Sequence, residues 1–270
     1  MKQRIITGAI LALVLGLFVY FGEGKLEFLF SGLCVLLAVA AAFEFSRMIN
    51  KEKQFSIFNY LSIPFTLIFT LLSVIFFKQD FYYMIVFVFI ISVILIYSLI
   101  YVFRDDFKKR DFSDQILTIL YTSLGFIGFA FLRTVSIHLI IYLFIVAMIT
   151  DVFAYFVGIK FGKTRLAPKI SPKKSVEGAI GGLLFGSIAA TLYAYYLGVF
   201  DLNISIIFVI SIGLSIISQI GDLVASKFKR EYNVKDYSNL FPGHGGVLDR
   251  FDSSGFASIF LMLIVMVILW

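Results

Sequence analysis

A polar segment near the C-terminus, residues 226–252, interrupts a chain that is otherwise strongly apolar. It contains five cationic side chains, which are Lys227, Lys229, Arg230, Lys235 and Arg250. Asp249 and Asp252 lie at its end, and Asp222 lies just before its start. Cations can neutralise phosphate groups and carboxylates can hold a divalent metal ion, so these residue types together predict a site for phosphoryl-type transfer.

A glycine-rich turn, residues 242–246, lies within this polar segment and reads Pro-Gly-His-Gly-Gly. Glycine lets the backbone approach a ligand closely and turn tightly, which a site for a phosphorylated substrate requires. The turn would therefore supply the flexible backbone of such a site.

A stripe of polar residues leads along one predicted helix into the polar segment. Its members follow one another at steps of three or four and are Ser211, Ser215, Ser218, Asp222, Ser226 and Lys229. This spacing places them on one helix face, which must face the helix bundle or a water-filled cavity because the opposite face is apolar. An ionisable residue inside a membrane span indicates function. The alternative is that Asp222 only pairs with Lys229 or Arg230.

Asp249 and Asp252 are three residues apart at the predicted start of the last helix, which places them on one face. One aspartate there could simply cap the helix. Two aspartates, with Asp222 across the polar segment, favour a metal site instead. Mg²⁺ fits such a sparse set, because it binds through one or two carboxylates together with substrate phosphates and water.

Asp151 lies in the middle of another apolar stretch and should be buried there. It could anchor a substrate or a second cation, or it could bond Tyr155 one turn later. A basic loop follows, with Lys173 and Lys174 near its end and Ser171 or Ser175 as a cap for the next helix. A helix N-terminus beside lysines favours a phosphate group. The alternative is that this loop only sets topology and attracts anionic lipid.

The elements that carry these residues are membrane spans. Of the 270 residues 60% are hydrophobic and only 15% are charged, and about 20 apolar residues form a helix that crosses the hydrocarbon core. The runs lack the alternation of barrel strands, so the sequence predicts an all-α, polytopic helical membrane protein. The nine predicted spans are residues 4–21, 26–48, 58–77, 81–103, 114–132, 137–159, 176–198, 203–225 and 251–270.

The basic residues are distributed unevenly between the two sides of this nine-span arrangement. Only three of the 23 Lys and Arg residues, Lys25, Lys78 and Arg133, fall on the side opposite the N-terminus. This bias predicts a cytosolic N-terminus, cytosolic basic loops and an outside C-terminus. The net charge of +6 therefore reflects topology and does not indicate nucleic-acid binding.

The polar segment resembles the signature of the phosphatidate cytidylyltransferase (CDP-diacylglycerol synthase) family. The matching pattern is Ser-x-x-Lys-Arg, then Lys-Asp, then Pro-Gly-His-Gly-Gly-x-x-Asp-Arg-x-Asp, here from Ser226 to Asp252. The stretches 151–158 and 170–178 and the opening Lys-Gln-Arg-Ile-Ile-Thr-Gly also resemble that family. The resemblance implies transfer of CMP from CTP to phosphatidic acid with release of pyrophosphate and with Mg²⁺, in a bacterial inner membrane.

On this reading each candidate residue has an expected role. The catalytic residues are Asp249, Asp222, Lys229, Arg230, Lys235 and Arg250. The substrate-binding residues are Lys173, Lys174, Ser226, His244, Gly245, Gly246 and Asp151. The metal ligands are Asp222, Asp249 and Asp252, with a second cation as an option.

The same features divide the chain into N-terminal scaffold helices, residues 1–135, and a C-terminal catalytic part, residues 136–270. Small residues at every fourth position of the seventh span could pack within one chain or between the chains of a homodimer. Two other functions stay open, a CTP-dependent polyprenol or phytol kinase and an ion-coupled transporter. The dense set of glycines and cations favours an enzyme, because an ion pathway does not need a phosphate site.

Overall fold

A computed structural model of the protein describes residues 2–21, 26–51 and 57–269. In these ranges the chain forms nine α-helices and one β-hairpin. Lys25 and Lys53, which contribute to the predicted charge bias, lie outside the described residues, as do the side chains of Lys2 and Arg4.

The helices follow the predicted apolar runs closely. They are α1 (Lys2–Phe21), α2 (Glu27–Ile49), α3 (Ser62–Phe76), α4 (Tyr82–Phe103), α5 (Lys109–Val135), α6 (Ile137–Phe161), α7 (Val176–Tyr196), α8 (Ile204–Glu231) and α9 (Leu248–Leu269). Among the described residues, eight helical segments are long and apolar enough to cross a membrane, which are those from α2 to α9. The protein is therefore an all-α polytopic membrane protein, as predicted.

Two helices extend beyond the predicted spans into the polar segment. α8 continues to Glu231, and α9 begins at Leu248. The predicted spans 203–225 and 251–270 are therefore shorter than these two helices, because hydropathy detects where lipid ends and not where a helix ends. Ser226, Lys229 and Arg230 are helical, and Asp249 lies in the first turn of α9.

The basic loop between α6 and α7 contains a short antiparallel hairpin that the sequence analysis did not predict. Its strands are β1 (Arg165–Ala167) and β2 (Ser171–Ser175), with Arg165 paired with Ser175 and Ala167 with Ser171. β2 runs directly into α7. Ser175 Oγ accepts a hydrogen bond from Gly178 N at 3.1 Å, which confirms the predicted serine cap.

The chain divides into two compact units. The first contains Met1–Phe131 and Asp236–Leu248, and the second contains Leu132–Lys235 and Asp249–Trp270. The first unit therefore includes the glycine-rich turn together with α1 to α4 and most of α5. The division of the chain at residue 135 into scaffold and catalytic parts concerns roles and stays a prediction.

The first unit has a core of polar and aromatic contacts among its helices. Phe45 of α2 packs against Tyr121 of α5 with ring centroids 5.0 Å apart. Gln115 of α5 accepts a hydrogen bond from Ser62 N at 3.1 Å and donates one to Asn59 O at 2.9 Å. These bonds satisfy buried polar groups where α3 begins.

The second unit is built around the close pair α6 and α7. A Cβ atom on Gly182 would lie 2.5 Å from Thr150 O, and one on Gly186 would overlap Thr150 Oγ1. The predicted face of small residues on α7 therefore packs within the chain against α6, where it lets two backbones approach closely. Phe153 and Phe185 stack across the same pair, with centroids 4.2 Å apart.

Candidate active site

The polar stripe of α8 changes character along the helix. Ser211 and Ser215 are fully buried and hydrogen-bonded to α6, at 2.7 Å from Tyr142 Oη and 2.8 Å from Thr150 Oγ1. This part faces neighbouring helices and holds the bundle together. One turn beyond Ser218 the stripe reaches Asp222, whose carboxylate accepts a hydrogen bond from Ser226 Oγ at 3.3 Å. The predicted single face is therefore confirmed.

The β-hairpin brings Lys174 to Asp222, where the two side chains form an ion pair. Glu177 at the start of α7 accepts hydrogen bonds from the backbone N–H groups of Lys163 and Thr164, both at 3.1 Å. It therefore holds the entry to the hairpin against the helix. The alternative reading, in which Asp222 pairs with Lys229 or Arg230, is wrong, because its cationic partner comes from 48 residues earlier in the chain.

Lys229 and Asp249 form a second ion pair, between α8 and the first turn of α9. Lys229 Nζ lies 2.7 Å from Asp249 Oδ1, and the two side chains are only 10% and 3% exposed. A buried pair must be well satisfied, since each charge has lost its hydration. Asp249 is therefore held by a lysine and does not merely cap α9.

Two further carboxylates stand beside these pairs. Asp151 and Asp252 both interact electrostatically with Asp222. Asp252 Oδ1 accepts a hydrogen bond from Ser253 N at 2.8 Å, and Asp151 Oδ2 accepts one from Ser253 Oγ at 3.2 Å. The expectation that Asp151 is buried is wrong, because it is exposed on α6, and Ser253 rather than Tyr155 is its partner.

The remaining predicted cations lie at the rim of the second unit. Arg230 is tied to the hairpin loop and to its own helix end, through Ile170 O at 3.4 Å and Val234 O at 3.3 Å. Lys173, Lys235 and Arg250 are exposed. They are free to move towards an anionic group in a way that the buried Lys229 is not.

The net negative charge of the clustered side chains in the second unit fits a divalent cation. The carboxylates of Asp151, Asp222, Asp249 and Asp252 outnumber the ammonium groups of Lys174 and Lys229 by two. Within the described residues no three His, Cys, Asp or Glu side chains are arranged as they stand to hold a metal ion. Lysine ammonium groups occupy one oxygen of Asp222 and one of Asp249, so a metal ion could bind at those two oxygens only if the lysine there gave way.

The glycine-rich turn belongs to the first unit and is closed by two backbone hydrogen bonds. Phe241 N donates to Gly245 O, and His244 N donates to Phe241 O, each at 2.8 Å. Gly243 and Gly245 have φ of 77° and 80°, which only glycine adopts without strain. The His244 ring lies against Gly8 of α1, where an added Cβ would be 3.2 Å from Nε2.

The sequence analysis missed one residue beside this turn, Glu44 of α2. It is 3% exposed, and its carboxylate accepts hydrogen bonds from Ser238 Oγ, Val247 N and Leu248 N. The signal was available, because Glu44 is an acidic residue inside an apolar span, which is the reason for which Asp151 was selected. Glu177 and Ser253 were missed for a different reason, since their partners lie outside their own helices, 13 to 102 residues away in the chain.

A sequence model described as the Cytidylyltransferase family matches residues 2–268. The chain belongs to the cytidylyltransferase family. A protein of Bacillus subtilis (strain 168) named phosphatidate cytidylyltransferase is 36% identical over 98% of this chain and 97% of its own length.

Proteins of the same name from Staphylococcus match only part of this chain. The one from Staphylococcus haemolyticus (strain JCSC1435) is 42% identical and the one from Staphylococcus aureus (strain COL) is 41% identical. Each match covers 56% of this chain and spans 57% of the relative's length.

Proposed function

We propose that the protein transfers CMP from CTP to phosphatidic acid, which gives CDP-diacylglycerol and pyrophosphate for phospholipid synthesis. The observation that carries this proposal is the resemblance over nearly the whole chain to the Bacillus subtilis protein named phosphatidate cytidylyltransferase. The cluster of carboxylates and lysines on α6, α8, α9 and the hairpin supports it, because phosphoryl-type transfer depends on charge neutralisation and alignment.

The proposed reaction needs no strong general base. A phosphate oxygen of phosphatidic acid attacks the α-phosphorus of CTP, and the bond from that phosphorus to the oxygen that bridges to the β-phosphorus breaks. The pyrophosphate leaves with the bonding electrons. The attacking phosphate is already an anion, so the protein must mainly bring two anions together and stabilise the departing charge.

We assign the side chains to these tasks by their charge and exposure. Asp222, Asp249 and Asp252 would hold Mg²⁺, and Asp151 would bind substrate or a second cation. When bound, Mg²⁺ would supply positive charge to the phosphate oxygens. Lys229 holds Asp249 in place, while the cations that neutralise the phosphates are Lys173, Lys174, Arg230, Lys235 and Arg250. Ser226 orients Asp222, and His244, Gly245 and Gly246 bind substrate from the glycine-rich turn.

We also propose the orientation that the charge bias predicts. The N-terminus and the basic loops are cytosolic in a bacterial inner membrane, where CTP is present, and the C-terminus is outside. Cysteine labelling tests this readily, because the one native cysteine, Cys34, is buried in α2 and can be replaced. A cysteine at Lys108 or Lys173 should be protected from an impermeant reagent added outside. Labelling there from outside would contradict the orientation.

The proposed reaction is tested by its products. Purified protein, CTP, phosphatidic acid and Mg²⁺ should give CDP-diacylglycerol and pyrophosphate, and a chelator should stop the reaction. CDP together with a phosphorylated polyprenol or phytol would identify a lipid kinase instead. Ion flux in vesicles without any nucleotide product would identify a transporter. We also propose that the protein forms a homodimer, which a measurement of its mass in detergent or nanodiscs tests.

A further inference from the structure

Glu44 is a buried carboxylate for which the proposed reaction has no direct use. It lies in the last two turns of α2, and the described part of that helix has one other acidic residue, Glu27 at its start. Glu27 is partly exposed and forms an ion pair with Lys78 at 2.9 Å. A charged side chain buried in a span is costly and needs a reason.

The hydrogen bonds of Glu44 supply such a reason. Oε1 accepts from Ser238 Oγ at 2.6 Å and from Val247 N at 2.9 Å, and Oε2 accepts from Leu248 N at 3.1 Å. Val247 and Leu248 stand at the start of α9, where backbone N–H groups lack partners within the helix. Glu44 therefore acts as a helix cap that comes from about 200 residues earlier in the chain.

Gly246 shows how closely this carboxylate packs. A Cβ atom on Gly246 would lie 2.5 Å from both carboxylate oxygens of Glu44. Unlike Gly243 and Gly245, Gly246 does not have a positive φ. Glycine is therefore required at 246 by the space that Glu44 fills, and at 243 and 245 by backbone conformation.

We propose that Glu44 is a positioning residue that holds the glycine-rich turn and its flanks, residues 238–248, in one conformation. Tyr237, just before them, is also fixed on α2, through its ring contact with Phe45 at 6.1 Å. Val247 and Leu248 directly precede Asp249 in the chain. In its kinetic consequence this inference rests on the proposed function, because a preset turn and helix start matter where a substrate must be aligned.

The first test compares Glu44→Gln with Glu27→Gln, a matched change on the same helix. Glutamine keeps the size of the side chain, but its amide N–H group would face the donors that the carboxylate of Glu44 accepts from. Deuterium exchange of peptides that cover 238–248 should become about tenfold faster or more in Glu44→Gln, and kcat should fall more than KM changes. Glu27→Gln should match the wild type in both readouts. Unchanged exchange of 238–248 in a folded Glu44→Gln protein would overturn the proposal.

A second test compares one substitution in two backgrounds, so it does not depend on whether the Glu44→Gln protein folds. Gly246→Ala should accelerate exchange in 238–248 and reduce turnover when Glu44 is present. In a Glu44→Ala background, the added methyl group should cause no further acceleration of exchange, since the oxygens that it would meet are gone. Equal acceleration of exchange by Gly246→Ala in both backgrounds would show that Glu44 does not set the requirement for glycine.

The two readouts separate failure of this inference from failure of the proposed function. Deuterium exchange reports the conformation of residues 238–248 whatever reaction the protein catalyses. Altered exchange in a protein whose wild type makes no CDP-diacylglycerol would leave the positioning role intact and remove the proposed reaction. Normal exchange in a Glu44→Gln protein, with an active wild type, would remove the positioning role alone.

Discussion

Carboxylates on the helices have different kinds of partner in the two units of this protein. In the first unit, Glu44 accepts hydrogen bonds from two backbone N–H groups and a serine hydroxyl. In the second unit, Asp222 and Asp249 face the ammonium groups of Lys174 and Lys229. A backbone N–H at a helix start is fixed by the fold, whereas a lysine ammonium sits at the end of a flexible chain.

This difference separates Glu44, a carboxylate that anchors, from Asp222, a carboxylate that can exchange its partner. The donors around Glu44 cannot leave without local unfolding, so Glu44 suits a permanent structural contact. The side chain of Lys174 is partly exposed at 29%, so on the proposed function it would leave Asp222 when a metal ion or a phosphate binds. A carboxylate inside an apolar span therefore indicates a structural or functional role. The kind of donor that faces it indicates whether it anchors the fold or can exchange its partner.

The largest effect is expected at Asp249, where anchoring and chemistry can be separated. Asp249→Asn should reduce activity roughly 10²–10⁴-fold, because a metal site contributes several kcal/mol to transition-state stabilisation. It should also destabilise the fold by about 3–5 kcal/mol, because it leaves the Lys229 ammonium buried without its carboxylate. Turnover and thermal unfolding in detergent measure the two effects.

The double variant Lys229→Met/Asp249→Asn distinguishes these two contributions. Removal of both charges should restore most of the lost stability, since neither member of this buried pair is left facing a neutral partner. Activity should stay low. Recovery of activity together with stability would mean that the pair is only structural and that Asp249 does not hold a metal ion.

A smaller effect is expected at Lys174, which occupies an oxygen of Asp222. Lys174→Met should tighten binding of Mn²⁺, used as a probe for Mg²⁺, by about fivefold, because loss of an adjacent positive charge is worth about 1 kcal/mol or more. Electron paramagnetic resonance of free Mn²⁺, without nucleotide, measures this affinity. Lys173→Met removes an exposed neighbouring charge and should change it much less. Equal affinities in all three proteins would contradict an exchange of partners at Asp222.

The sequence predicted the positions of the helices well. For the site, it predicted which residues take part but not which of them contact one another. Apolar runs of about 20 residues locate spans because lipid thickness sets their length, so most boundaries agree within a few residues. Hydropathy placed the end of the α8 span at 225, since lysine, arginine and glutamate continue a helix beyond the lipid without any signal in hydropathy. The three-to-four-residue spacing of the polar stripe had already extended that helix to Lys229, two residues before its end at Glu231. The hairpin at 165–175 is too short to show a period in the sequence.

The pairing of charges in the site could not be read from one sequence. Asp222 has several cations nearby in sequence, such as Lys229 and Arg230, yet its partner is Lys174 on the hairpin. Glu44 meets its donors across about 200 residues. Such contacts depend on how helices pack, and the spacing of residues along one helix carries no information about them.

The two units should also differ in their tolerance of a methyl group on a helical glycine. Gly186→Ala in α7 should destabilise the protein by about 1–3 kcal/mol, because its Cβ would overlap Thr150 Oγ1 of α6 in a tightly packed contact. Gly32→Ala in α2 has no atom within 4 Å of the added Cβ and should be neutral or stabilising by up to about 1 kcal/mol. Thermal unfolding measures both, and equal destabilisation would contradict the close packing of α6 on α7.

The smallest effect is expected at the exposed ion pair of Glu27 and Lys78, which is the counterpart of the buried pair of Lys229 and Asp249. Both pairs have nearly the same length, 2.9 Å and 2.7 Å, but the side chains of Glu27 and Lys78 are 32% and 65% exposed. Water and salt screen an exposed pair, so Lys78→Ala should cost at most about 1 kcal/mol and less at high salt. Turnover should not change. A loss of stability as large as that of Asp249→Asn would show that pair length, and not burial, sets the strength of these contacts.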